Sequence, residues 1–488
     1  MENVQITRPL PRSLPEAQGI SSTAISAFLR HMEEQQLGLH SFMLLRHGAV
    51  VAEGWWSPYR PELPHSLFSL SKSFTSPAIG LAVAEGLVKV EDTVVFFFPE
   101  EAPSGISANL AKMNISHLLM MGTGHTEDTT SYMINSEDGN WVRAFLQLPV
   151  DKTPGTHFLY NTGATYMLSA ILQKVSGLNL LEYLEPRLFA PLGIRNPVWE
   201  SCPRGINIGG FGLSVTTEDI AAFGQLYLQQ GVWNNRQLLP KEWIAAAISK
   251  QISNNDGSPG ASTSDWSQGY GYQFWRCLHH AYRGDGAFGQ FCIIMPEQDA
   301  VVAITSGTSD MQSILNGVWN ILLPAMGTEP EAVGSDPAAN AELAQSLEHL
   351  SIQPERLQKA SALEEVLNGK VYRVDNHPQQ LASLALSFNT AEAVLTLQGM
   401  SGEQTVRLGR GEWAESSAKI LDHNKNLIMA SFTWTAEHKL KITLLLVETP
   451  FRLTLEVAVH ETSIVVKQQF NVSMSAEDLE AVFVGHLV

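Results

Sequence analysis

Along the first 325 or so positions the apolar residues switch between two spacings. The stretch SFMLLRHGAVVAEGWW (Ser41–Trp56) is apolar on both sides of a polar Arg46-His47-Gly48 step and reads as a β-hairpin. From Ser69 to Gly86 the spacing becomes helical, with Pro77 inside the run. That proline either bends the helix or divides off a short first segment. NISHLLMMGTG (Asn114–Gly124) reads as a short helix with glycine stops. GATYMLSAILQKVSG (Gly163–Gly177) carries apolar residues three to four apart and ends on glycine. TTEDIAAFGQLYLQQG (Thr216–Gly231) opens with Thr217 ahead of acidic residues and closes on Gly231. GYGYQFWR, FCIIMP and DAVVAITSG then read as three strands, and SDMQSILNGVWNILLPAM (Ser309–Met326) as a helix. Strands at both ends with helices between them predict an antiparallel sheet closed by the two ends of the region, with a helical insertion.

The pattern changes after residue 326. Residues 327–368 are rich in Pro, Gly, Ala and acids and read as a linker running into the helix AELAQSLEHL. From Gly369 to Val488 short alternating runs such as LASLALSF, KLKITLLLVET and FRLTLEVAV follow one another. Seven or more such strands predict a small antiparallel barrel or sandwich. The expected chain is therefore α+β: residues 1–326 an antiparallel sheet flanked by helices plus a helical subdomain, 327–368 a linker and helix, and 369–488 an antiparallel β domain.

Composition narrows the function classes. A chain of 488 residues is too long for a single core. Its net charge of −18 disfavours nucleic acid as a partner, since phosphate binding needs a basic face. No apolar run reaches the length of a membrane span, and the first residues lack the apolar stretch of a secretory signal. Three cysteines (Cys202, Cys277, Cys292) without metal spacing fit a reduced, cytoplasmic protein. No metal or other cofactor is expected. Oligomeric state is open, a homo-oligomer included.

Candidate chemistry begins at FSLSKSFTSP, which holds Ser69-Leu70-Ser71-Lys72. Residues three apart on a helix share a face, so Lys72 reaches the Ser69 hydroxyl, and the free N–H groups of a helix start favour negative charge there. The competing interpretation is a serine that merely caps the helix and a solvated lysine. In a chain of this length roughly one Ser-x-x-Lys is expected by chance. A second match, Ser416-Ser417-Ala418-Lys419, lies among the β-rich runs without an apolar helix after it and reads as that chance match. Tyr160, after a Pro-Gly turn and just ahead of a helix, can carry a proton if a nearby lysine lowers its pKa. In YRGDGAFGQF (from Tyr282) glycines let backbone N–H groups approach a ligand.

Three ordered segments, Ser69-Leu70-Ser71-Lys72, Tyr160-Asn161-Thr162 and Asp285-Gly286-Ala287, resemble the serine β-lactamase and penicillin-binding-protein-like hydrolases, especially the branch of class C β-lactamases, D-aminopeptidases and β-lactamase-like esterases. The resemblance covers about residues 10–325, and the tail resembles the β-rich domain attached to some of these hydrolases. It implies that Ser69 is the acylated nucleophile, that Lys72 and Tyr160 move its proton, and that the Ser69 and Ala287 N–H groups form the oxyanion hole. Asn161, Thr162, Asp285 and Gly286 would contact the substrate. Two departures stand out. Thr162 occupies the place where the family often has asparagine, and Gly284-Asp285-Gly286 replaces a motif that often carries Lys-Thr-Gly or His-x-Gly. With no cation at that motif, Asp285 would repel an acidic substrate if it faces the pocket, and strand alternation leaves open whether the adjacent Arg283 points elsewhere. These departures favour esterase or amidase chemistry over efficient penicillin hydrolysis.

Other patterns fit less well. Gly284 to Gly289 also matches G-x-G-x-x-G, but a strand-like QFCIIMP follows where a dinucleotide site needs a helix. His117, His125 and the His279-His280 pair read as structural, and Trp266, Tyr270, Tyr272 and Trp275 as sheet core, with pocket lining by one of them left open. Two function classes remain: a serine hydrolase acting on a small ester or amide, and a β-lactam-binding sensor or assembly protein of the same fold that acylates without turnover.

Overall fold

The computed structural model describes residues 10–327, 333–357, 360–375, 377, 380–420 and 426–488. The start of the expected linker (328–332) and the N-terminal residues 1–9 lie outside them. The first layer is a six-stranded antiparallel sheet. Its strands are β1 (Leu39–Arg46), β2 (Ala49–Trp55), β3 (Trp275–Arg276), β4 (Tyr282–Gly286), β5 (Gln290–Met295) and β6 (Ala300–Ser306), in the order β2-β1-β6-β5-β4-β3. The hairpin turns at His47-Gly48, and the sheet joins both ends of the region, as the strand pattern predicts. Of the run GYGYQFWR only Trp275–Arg276 is strand, while β4 enters the sheet as an extra member.

The central strands are buried on both faces, and their alternation divides them between two cores. Met43, Leu45, Cys292, Ile294, Val301 and Ala303 face one core; Phe42, Leu44, Phe291, Ile293, Val302 and Ile304 face the other. Helix α1 (Ser22–Glu34) and the helical segment from Met311 to Ala325 cover the second face. The first face carries the helical subdomain, including α2 (Ser71–Ala84), α3 (Thr162–Ser176) and α4 (Thr217–Leu228). Helix α4 is capped by Thr216, one residue earlier than expected, through a capping box with Asp219. Helix α5 (Pro337–Glu348) lies against α1, with Leu343 buried and Asn340 donating to Glu16. Among the described residues no helix is long and apolar enough to cross a membrane.

The C-terminal domain is a closed barrel rather than a sandwich. Its strands are β7 (Lys370–Val374), β8 (Ser383–Phe388), β9 (Glu392–Gly399), β10 (Gly402–Arg410), β11 (Ala414–Ala418), β12 (Asn426–Ala436), β13 (Lys439–Leu446), β14 (Arg452–Val459), β15 (Ser463–Phe470) and β16 (Glu480–Leu487). Antiparallel pairing runs from β10 through β9, β8, β7, β16, β15, β14 and β13 to β12. A short parallel pairing of Gly409 and Arg410 with Ser431 and Phe432 joins β10 to β12 and closes a nine-strand ring. Every second residue, such as Leu440, Ile442 and Leu444 on β13, fills the interior.

Candidate active site

Ser69 lies in the 3-10 turn Phe68–Leu70 that leads into α2. The turn is fastened by Ser71, whose hydroxyl donates to the Phe68 carbonyl (2.6 Å) and accepts from the Leu213 N–H (3.1 Å). Helix α2 runs unbroken through Pro77, and every residue from Ser71 to Ala82 is buried. Packing on all sides keeps the helix continuous across the hydrogen bond that Pro77 cannot make.

Lys72, on the first turn of α2, is 1% exposed. Its Nζ lies 3.0 Å from Ser69 Oγ, 3.1 Å from Thr162 Oγ1 and 2.8 Å from the Gly210 carbonyl. Burial pulls its pKa down to about 7, against the opposing pull of the Asp128 and Asp285 carboxylates. A neutral lysine has two N–H bonds and one lone pair. The Gly210 carbonyl can only accept, and with Thr162 also accepting, the lone pair is left facing the Ser69 hydroxyl.

The Tyr160 ring sits 4.8 Å from Lys72 Nζ. Its phenol pKa is raised by burial and by the Asp285 charge, and the neighbouring Ser69 hydroxyl and Arg283 charge only partly offset this. The expectation that a lysine lowers this pKa is therefore corrected: burial and the Asp285 and Asp128 charges disfavour a phenolate more than the Arg283 charge favours it, so Tyr160 keeps its proton. The ring stacks on Trp275 (5.2 Å, 18°) and meets Tyr270 edge-on (6.2 Å, 89°), which fixes its direction. Trp275 and Tyr270 thus hold a candidate site residue in place as well as belonging to the core.

Asn161 and Thr162 diverge. The Asn161 oxygen accepts from Thr129 N (3.2 Å), Thr129 Oγ1 (2.8 Å) and Gly163 N (3.1 Å), so it caps α3 and is not turned to Lys72. Thr162 faces Lys72 directly, and its own N–H donates to Asp128 Oδ2 (3.1 Å). Asp128 and Gly210 escape sequence reading because each sits in a loop with no motif. Only folding brings them to Lys72.

On β4, Arg283 and Asp285 are two residues apart and share a face. Their side chains pair at 2.7 Å and are 0% and 5% exposed. Arg283 therefore does not point away from Asp285. It offsets the carboxylate's charge, on which the expected repulsion of acidic substrates depends. The guanidinium also lies over the Trp266 ring (4.3 Å) and donates to the Asp265 carbonyl (2.9 Å). Burial raises the Asp285 pKa despite the favourable charges of Arg283 and Lys72.

The glycines of this strand serve close approach. A Cβ on Gly284 would meet Ser73 Oγ at 2.3 Å, and one on Gly286 would meet the Leu67 carbonyl at 2.0 Å and the Leu70 nitrogen at 3.0 Å. Gly286 thus packs against the turn that carries Ser69. Ala287 follows it in the turn to β5, past the last ladder pair Gly286–Gln290. Ser69, Lys72, Tyr160, Thr162 and Asp285 therefore converge, with Gly286 packed on the turn that carries Ser69 and Ala287 next to it in the chain.

Residues 25–315, more than half of the chain, match the family model described as Beta-lactamase. The chain belongs to the beta-lactamase family. This beta-lactamase-family protein is 24% identical over 289 residues to the 6-aminohexanoate-dimer hydrolase of Paenarthrobacter ureafaciens, covering 55% of this chain and 73% of that protein. It is 22% identical over 306 residues to penicillin-binding protein 4 of Amycolatopsis lactamdurans, covering 55% of this chain and 79% of the relative. The fold is shared with the solved structure of EstCE1, a hydrolase with promiscuous acyltransferase activity (TM-score 0.51, 16% identity, 61% of this chain and 99% of that one). The match spans Ser69, Lys72, Tyr160 and Asp285 but stops short of the barrel.

Proposed function

We propose that the protein is a serine hydrolase that cleaves a small ester or amide through an acyl-enzyme on Ser69. The observation that carries this reading is Lys72: a buried amine 3.0 Å from the Ser69 oxygen, with its pKa brought down to about 7. In acylation, neutral Lys72 takes the Ser69 proton as Oγ bonds to the substrate carbonyl carbon. The carbonyl oxygen gains negative charge facing the N–H groups of Ser69 and Ala287, an arrangement in which losing one donor costs about 10²–10³ in rate. The proton then passes from Lys72, with Tyr160 as protonated relay, to the departing alcohol or amine as the carbonyl–heteroatom bond breaks. Water, deprotonated by the same pair, hydrolyses the acyl-enzyme and restores Ser69.

Thr162 and Gly210 orient Lys72, and Asp285, balanced by Arg283, sets the charge near Tyr160. The hydrolase named among the relatives supports amide or ester cleavage over binding without turnover. The test is a panel of p-nitrophenyl esters, nitrocefin and D-amino-acid amides on wild type and Ser69→Ala, with fluorophosphonate labelling of Ser69. Turnover that disappears in Ser69→Ala supports the reading. Labelling without turnover of any member supports the acylated sensor instead.

A further inference from the structure

The two residues that flank the proposed oxyanion donors share an unusual conformation. Phe68 directly precedes Ser69 at φ 49°, and Phe288 directly follows Ala287 at φ 69°. Bulky side chains rarely adopt this left-handed backbone, and it persists only where surrounding structure enforces it. The two rings meet edge-on at 5.3 Å and 81°. The third member of the cluster comes from the other domain. Phe451, in the turn between β13 and β14 of the barrel, packs on Phe68 (6.0 Å, 77°) and on Phe288 (5.8 Å, 60°), backed by Phe470 (6.3 Å, 73°).

The turn that presents Phe451 is fastened to the hydrolase domain on both sides. The Glu448 carbonyl accepts from the Ser66 N–H at 2.8 Å, two residues before Phe68. Asn471 Nδ2 donates to the carbonyls of Gly307 (2.8 Å) and Pro450 (2.9 Å), while its oxygen accepts from the Arg452 N–H (2.7 Å). On the far side, the Phe288 carbonyl accepts from Ser306 Oγ (2.7 Å). The Phe288 backbone is thus held from behind by the sheet and its ring from in front by the barrel.

We propose that Phe451 of the barrel is a positioning residue for acylation. It clamps the Phe68 and Phe288 rings, and through them the two left-handed turns that aim the Ser69 and Ala287 N–H groups at the substrate carbonyl oxygen. The inference rests on the reading of Ser69 as the acylated nucleophile. It gives the barrel a catalytic consequence although it supplies no reacting group. A small misalignment of oxyanion donors costs rate while leaving ground-state binding largely intact.

The test compares full-length wild type, Phe451→Ala, Phe451→Tyr and Trp413→Phe on a p-nitrophenyl ester. Trp413 also anchors the barrel, donating to the Ile352 carbonyl of the linker at 2.8 Å, but it is outside the phenylalanine cluster. The expected result is a kcat about 10–100-fold lower for Phe451→Ala with KM within about threefold, and affinity for a boronate transition-state analogue falling in step with kcat/KM. Phe451→Tyr, which keeps the ring, restores kcat to within about threefold, and Trp413→Phe leaves it unchanged. If Phe451→Ala does not fold, Phe451→Leu is read by the same criteria. Wild-type kcat in a folded Phe451→Ala or Phe451→Leu overturns the proposal, as does an equal loss in Trp413→Phe, which would mark a docking contact only. Ser69→Ala separates the two levels: if it is inactive while Phe451→Ala is unaffected, only this inference fails; if it keeps full activity, the nucleophile assignment fails.

Discussion

The chain writes Ser-x-x-Lys twice, and the two copies have opposite physical fates. Ser69 and Lys72 stand where a 3-10 turn enters a buried helix, so the side chains meet on one face and water is excluded from the amine. Ser416 lies on β11 and Lys419 just past its end, so no helical turn brings their side chains onto one face. The Ser416 hydroxyl accepts from the Arg407 N–H (2.8 Å), and the Lys419 side chain is exposed while its backbone N–H donates to Gln404 (2.9 Å). The motif alone carries no chemistry. Helical phase brings the two groups together, and burial lowers the lysine pKa.

The largest expected contrast is in turnover. Ser69→Ala is expected to lose about 10⁴-fold or more in kcat/KM on an ester substrate, whereas Ser416→Ala stays within about twofold. Loss of activity in Ser416→Ala would erase the contrast. Next comes stability, measured by urea unfolding. Arg283→Met strands the Asp285 carboxylate in the interior and is expected to cost about 3–5 kcal/mol. Arg407→Met, beside the second motif, breaks an exposed, solvent-screened pair with Glu392 and is expected to leave the urea midpoint essentially unchanged.

A smaller effect of opposite sign is expected at Lys72. Its folded pKa of about 7 lies below the ordinary 10.5, so the unfolded chain binds the extra proton between those values. Lys72 therefore lowers stability most below pH 7, and this deficit disappears as pH rises toward 10.5. Lys72→Met is expected to abolish activity yet stabilise the fold by about 0.5–2 kcal/mol at pH 7. Lys419→Met should change stability by less than about 0.5 kcal/mol. Destabilisation by Lys72→Met would mean that its three hydrogen bonds outweigh the cost of burying its charge. The smallest effect concerns Asp128, whose charge holds the Lys72 pKa up. Asp128→Asn should move the acid limb of the activity profile down by about half a unit to one unit.

What could be read from the sequence follows from how local each signal is. Ser69-x-x-Lys72 is a three-residue relation across one helix start, and Tyr160 precedes a clear helix start, so spacing and family resemblance suffice to nominate them. Asp128, Gly210 and Trp275 act only through contacts across long stretches of chain, and none carries a pattern of its own. The direction of the Tyr160 pKa depends on how dry its surroundings are, which no spacing encodes. Arg283 was within reach, because residues 283 and 285 of one strand must share a face. In the tail the alternating runs announce strands, but barrel and sandwich differ by one short pairing between Gly409–Arg410 and Ser431–Phe432, too local to leave a trace in periodicity.

The central claim is that burial makes Lys72 a base for Ser69 near neutral pH, and the pH dependence of kcat/KM on a neutral p-nitrophenyl ester tests it most directly. The account predicts a rising limb centred at about pH 7, where Lys72 loses its proton, and a lower centre in Asp128→Asn. A wild-type profile that is flat from pH 5 to about 9, or that rises only near the ordinary lysine pKa of 10.5, would contradict it.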